Sequence, residues 1–282
     1  MRSNIHRFVL ALATALALAA APASPWRPLE PGLELGRFPG PPGGTGDGVV
    51  TVLRVDPARF DLRLLNASAP GGGSARSARG WAVQTGAVAA INAAMYQEDH
   101  RTSVSLMRTR EHVNHPRVSR DKTILAFDPI APGAPRFRII DRDCDDLEAI
   151  GKGYASLVQS IRLVSCERKN VWSPSPKRTS AAAIGIDGAG RLLMIHARTA
   201  WPTAALADAL LAMPIDLRRA MYVEGGAEAQ LYVSAGGTVL ELIGDFDGIA
   251  GVARNVDAWP VPNVLAIVRR PPAPPRAKAG AP

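Results

Sequence analysis

Two cysteines and five histidines are few for a 282-residue chain. Cys144 and Cys166 supply half of a structural zinc site. His100, His112 and His115 lie near Asp99 and Glu111, at spacings that match no zinc-binding helix. His196 ends an apolar strand and reads as a packed ring. The Gly-x-Ser-x-Gly elbow of serine hydrolases is missing. Gly71 to Ser74 lacks the lysine and following helix that a phosphate-cradling loop requires. Beyond the N-terminus no segment is apolar enough to cross a bilayer, and no sequence repeat is found.

The N-terminus carries Arg2 and Arg7, then an apolar run from Phe8 to Ala20 broken only by Thr14. Ala21-Pro22-Ala23 provides the small-x-small cleavage pattern. Residues 1–23 are therefore expected to be a secretory signal peptide, delivering the chain to the periplasm or outside the cell. In such an oxidising compartment, Cys144 and Cys166 are expected to form one disulfide, about 3 kcal/mol of loop-closure stabilisation.

The formal charge of +8 points less to nucleic acid than it suggests. Arg2 and Arg7 leave with the signal, and Arg269, Arg270, Arg276 and Lys278 lie in the C-terminal tail. The body without these six is +2. No nucleic-acid partner is expected.

The organisation reads as a signal peptide (1–23), an irregular Pro/Gly-rich leader (24–48), one domain (49–268) and a disordered basic Pro/Ala tail (269–282). Strands are expected at Val49 to Val55, Phe60 to Leu65, Ala87 to Asn92, Lys122 to Phe127, Arg136 to Asp141, Tyr154 to Val164, Thr238 to Ile243 and Asn263 to Val268. Ala181 to Ile186 and Arg191 to His196 flank Asp187-Gly188-Ala189-Gly190, a hairpin signal. Ser77 to Thr85 suits a short helix. Thr203 to Met213 is the clearest helix, with Thr203 as its cap and Pro214 as its stop. Many strands and few helices predict an α+β fold, a single domain of mixed β-sheet with few flanking helices.

One stretch concentrates the chemistry. In Met221-Tyr222-Val223-Glu224-Gly225-Gly226 an apolar strand delivers a carboxylate onto two glycines, which let the backbone approach a neighbour closely. Three further segments precede it in order: Ile91-Asn92-Ala93-Ala94-Met95-Tyr96, Val158-Gln159-Ser160-Ile161-Arg162, and Arg178-Thr179-Ser180 leading into Ala181-Ala182-Ala183-Ile184-Gly185. Together these resemble the phosphodiester glycosidase family. The family pattern has Asn-Gly-Gly/Met-aromatic, Ser-Gly-Pro, Arg-Thr-Ala-Ile-Gly and Asp-Gly-Gly. This chain has Asn92-Ala93-Ala94, Ser160-Ile161-Arg162 and Glu224-Gly225-Gly226 instead.

The resemblance implies an exported hydrolase that cleaves a glycosyl phosphodiester or related glycan linkage, and a carbohydrate or sugar-phosphate ligand. It implies roles for Glu224 as base or charge stabiliser, Arg178 as phosphate partner and Asn92 as sugar or water ligand, all catalytic. Ser160, Gly225 and Gly226 would bind substrate. These groups are expected to meet in one cleft, where Arg178 would favour the ionised form of Glu224. Glu228 is expected to be exposed. No cofactor is expected, and a divalent metal beside the phosphate has no visible ligand set. The departures from the family pattern support a second reading, a noncatalytic carbohydrate- or envelope-binding protein on the same fold.

Overall fold

A computed structural model describes residues 24–44, 46–245 and 255–271. The signal peptide and residues 272–282 of the tail lie outside the described residues. Two antiparallel sheets stack around a shared apolar core. The smaller contains, in order, β15 (Thr238–Ile243), β14 (Gln230–Ala235), β5 (Ala89–Asn92), β16 (Asn263–Arg269) and β4 (Phe60–Asn66). The larger begins with β1 (Trp26–Glu30), β2 (Leu33–Pro39), β3 (Val49–Val55) and β12 (Leu192–Trp201). It continues through β11 (Thr179–Asp187), β13 (Leu217–Gly225) and β10 (Tyr154–Val164) to β6 (Met107–Arg108) and β7 (Val113–His115). The strand β8 (Thr123–Pro129) also pairs with β10 and carries β9 (Phe137–Asp141) at its side. The α+β class holds, but the expected mixed sheet is two sheets in which every pairing among the described residues is antiparallel.

The sequence of β11 shows why its strands lie in the middle. Ala182 and Ile184 enter the core between the sheets, while Ala181 and Ala183 face a second core beneath α3 (Thr203–Ala212). With both faces covered, the strand reads as a continuous apolar run. Leu192 and Met194 of β12 fill the first core, and Leu193 and Ile195 the second. Burial of each such side chain stabilises the fold by about 1.5–3 kcal/mol before entropy is counted. The helix α1 (Ala78–Thr85) covers the outer face of the small sheet, capped by Ser77 and ended by left-handed Gly86. A short helix α2 (Leu147–Gly151) closes the β8–β9–β10 corner.

Three expectations change. The supposed leader contains strands β1 and β2: Leu33, Leu35 and Phe38 are buried, and Arg54 lies 3.8 Å over the Trp26 ring. A cation over an aromatic face and an alternating apolar pattern outweigh the proline content. Thr203 does not cap α3; Pro202 holds that position and its carbonyl accepts the Leu206 amide at 3.1 Å. The tail is not free from residue 269, since Arg269 ends β16 and pairs with Glu30 at 2.8 Å, and Arg270 pairs with Asp61 at 3.4 Å.

Cys144 and Cys166 are bridged, with Cα atoms 6.6 Å apart. The bridge ties the turn after β9 to the end of β10. Fully buried Asp141 reinforces it, accepting the Cys166 amide at 2.9 Å and pairing with Arg162 at 2.8 Å. Replacing both cysteines by serine is expected to lower unfolding free energy by about 3 kcal/mol, measured by urea titration. Adding reductant to the native protein should reproduce the same loss.

Candidate active site

Glu224 lies one residue before the end of β13. The β11–β13 register runs Ala182 opposite Glu224 and Ala183 opposite Tyr222, so Val223 is an extra residue, a bulge. Val223 turns into the inter-sheet core, and Tyr222 and Glu224 both face a cavity of about 510 Å³. That volume suits a small ligand. Gly226 has φ of +66°, and its amide donates to Thr179 Oγ1 at 2.8 Å. A side chain at Gly225 would put its Cβ 2.0 Å from the Tyr222 hydroxyl and 3.0 Å from the Ser180 carbonyl oxygen. The two glycines therefore let the chain turn against β11, and a 3-10 turn (Gly226–Glu228) brings Glu228 to the same cavity.

Aromatic rings form much of the wall. Trp172 and Tyr222 meet with ring centres 5.3 Å apart at 53°, and Trp259 also lines the cavity. Met95 and Ile161 add apolar surface, and Lys177 and Thr179 add polar groups. Burial pushes the Glu224 carboxyl up to about 7; the Gly225 amide at 3.1 Å opposes this and the Glu228 charge adds to it. Burial, then Glu228 and Glu224, push the Tyr96 hydroxyl up to about 12. This corrects the expectation that Arg178 would favour ionised Glu224. A desolvated carboxyl beside a second carboxylate holds its proton more tightly.

Glu224, Gly225 and Gly226 line the cavity; Asn92, Ser160 and Arg178 are not among its lining residues. Ser160 is buried and donates to the Tyr222 carbonyl at 2.6 Å, beneath the cavity wall. Asn92 is buried and accepts the Gln230 amide at 3.0 Å. The Gln230 side chain accepts from the Ala78 amide at 2.8 Å and donates to the Trp259 carbonyl at 2.6 Å. Asn92 thus braces the segment that holds Trp259. Arg178 is exposed, between the cavity residues Lys177 and Thr179. His196 is buried, contacts the Ala229 carbonyl at 3.1 Å, and desolvation drops it to about 4, as befits a packed ring. Among the described residues, the grouping of Asp141 with Cys144 and Cys166 has metal-type donors, but both sulfurs are in the disulfide.

A family model described as phosphodiester glycosidase matches residues 85–268. The chain belongs to the phosphodiester glycosidase family. The catalytic domain of zebrafish N-acetylglucosamine-1-phosphodiester alpha-N-acetylglucosaminidase, auto-inhibited by its pro-peptide, has the same fold. The match has a TM-score of 0.62 and 14% identity over 86% of this chain and 85% of that one. A hypothetical protein from Synechocystis matches with a TM-score of 0.55 and 14% identity, covering 85% of this chain and 62% of its own. No curated protein sequence matches the chain.

Several residues of this cavity escape sequence reading. Glu228 was expected to be exposed; the 3-10 turn, which no periodicity announces, turns it inward instead. Trp172 and Trp259 had a usable signal. Each is a large apolar residue near a proline, outside any strand or helix pattern, so no periodicity assigns it to a core.

The Gly225 contact predicts a packing cost on substitution. Gly225→Ala must displace Tyr222 or the β11 backbone, an overpacking worth about 1–3 kcal/mol. Thermal melting should show that loss, and intrinsic tryptophan fluorescence should report a moved Trp172–Tyr222 wall. An unchanged melt and spectrum would reject the contact.

Proposed function

We propose that the protein is an exported hydrolase that cleaves the bond between a sugar's anomeric carbon and a phosphodiester or related leaving group, with Glu224 as the reacting carboxylate. One observation carries the reading: the strand-end carboxylate of the family motif lies in a ring-walled cavity, where burial pushes it up to about 7. Family membership and the signal-like N-terminus support hydrolysis and export. The ionised carboxylate takes a proton from water, water oxygen bonds to the anomeric carbon, and the sugar–oxygen bond breaks with its electrons on the departing phosphate. Phosphate leaves readily without strong acid help, so the base form of Glu224 does the work. A carboxylate with a pKa near 7 is a stronger base than an ordinary one.

Arg178 receives the phosphate at the rim, where a guanidinium matches two phosphate oxygens. Gly225 and Gly226 shape the floor. Ser160 and Asn92 act as positioning residues, through the Tyr222 backbone and the Gln230–Trp259 link. The second reading, a carbohydrate-binding protein without turnover, draws on Ile161, which lines the cavity where the family motif is small.

The test is release of free sugar from a panel of synthetic glycosyl phosphodiesters. Turnover is expected, with kcat/KM rising as pH increases through about 7, because the ionised form of Glu224 acts. Saturable binding with no release from any member would establish the second reading.

A further inference from the structure

We infer that the sugar held in this cavity carries a free, cationic amino group. The inference rests on reading the cavity as a glycosyl site and goes beyond it by naming the substituent.

The first argument is charge. Glu224 and Glu228 both line the cavity, and Lys177 is the cation that lines it among the described residues. Burial, the Gly225 amide and the Glu228 charge act on Glu224. Among the described residues, no cation forms an ion pair with either carboxylate. The Glu228 charge acts on a desolvated Glu224, and a cavity lined by both acids is complementary to a positive ligand. A hydroxyl or an N-acetyl group offers dipoles but no charge.

The second argument is the walls. Trp172 and Tyr222 meet at an oblique angle, forming a corner rather than a flat stack, and Trp259 adds a third ring with 40% of its surface exposed. Aromatic faces are electron-rich and attract a cation, more strongly where water is excluded. Rings that line the same cavity as two carboxylates provide both halves of an ammonium site. A neutral sugar could stack on the same rings, but it would leave the repulsion between Glu224 and Glu228 unrelieved. Arg178, the proposed phosphate partner, is exposed and is not among the residues that line the cavity with the two carboxylates.

The experiment compares the methyl glycosides of glucosamine, N-acetylglucosamine and glucose by calorimetric or NMR titration at pH 7 and low salt. It also compares glucosaminyl and N-acetylglucosaminyl phosphodiesters for turnover. The amine is expected to bind about tenfold more tightly than the other two. Glu228→Gln, with its fold checked by circular dichroism, should collapse that ratio to within about threefold.

Equal or tighter binding of the N-acetyl sugar overturns the inference, and so does an amine preference that survives Glu228→Gln. If the N-acetyl phosphodiester is the better one turned over, the inference falls and the hydrolase reading stands. If nothing is turned over yet the amine preference appears and depends on Glu228, the hydrolase reading falls and the inference stands. If none of the sugars bind, the inference falls.

Discussion

Replacing Glu224 by Gln is expected to abolish turnover and, in the same step, to stabilise the protein above neutral pH. Glutamine cannot accept a proton, and loss of a positioned base costs about 10²- to 10⁴-fold in rate. The stability effect follows from linkage. The folded-state value is about 7, against the ordinary carboxyl value of 4.5. Between those values the folded state keeps a proton that the unfolded chain releases, so wild-type stability falls as pH rises through that window. Above it the full cost of a desolvated anion is present, up to about 3 kcal/mol and less where water reaches the group. Glutamine carries no such cost. The melting temperatures of wild type and variant should coincide near pH 4 and diverge by about 2–8 °C at pH 8. A pH-independent difference would sink the desolvation argument, and unchanged turnover would remove Glu224 from the reaction.

The largest loss of stability is expected at Asp141→Ala. This fully buried carboxylate pairs with Arg162 at 2.8 Å and accepts the amides of Cys166 at 2.9 Å and Asp143 at 3.2 Å. Truncation leaves the guanidinium half-enclosed, with Asp143 at 2.7 Å as its remaining acid, and two amides without their acceptor. Breaking one side of a buried pair costs about 3–5 kcal/mol. Urea titration measures it, and a loss below about 1 kcal/mol would show that solvent replaces Asp141 freely. The double variant Asp141→Ala with Arg162→Met should recover part of the loss, because the stranded charge is gone. The damage should also reach the cavity, since the Arg162 carbonyl accepts the Trp172 indole at 2.8 Å and Ile161 lines the same space.

The sequence makes the strands legible where both sheet faces are covered. Tyr154–Val164, Val49–Val55 and Asn263–Arg269 read directly as strands, because apolar content and flanking turns agree. The hairpin at Asp187 to Gly190 was equally plain. The strands β1 and β2 were hidden by proline and glycine, and only the packing of Trp26 and Phe38 under distant residues explains them. The two-residue strand β6 and three-residue strand β7 are too short to carry a period. At the site, Glu224-Gly225-Gly226 stood out as a strand-end carboxylate on bare backbone. The state of Glu224 was not legible. It depends on desolvation and on a second carboxylate turned inward by a 3-10 turn, and both are products of tertiary packing. The roles of Ser160 and Asn92 were obscured for a related reason. A polar group in an apolar strand has the same sequence signature whether it faces ligand or a neighbouring carbonyl.

The pairing order has a kinetic consequence. The strand β3 finds its partner in β12, and Phe60 at the start of β4 pairs with Arg269 at the end of β16. The strand β5 is inserted between β14 and β16. Both sheets therefore stay incomplete until nearly the whole domain has been synthesised. Such long-range pairings are slow to form, because loop-closure entropy is spent before any contact rewards it; domains dominated by non-local pairings fold in about milliseconds to seconds. A nascent chain that cannot finish its sheets early keeps its hydrophobic strands unpaired and open to aggregation until Asn263–Arg269 arrives to complete the small sheet.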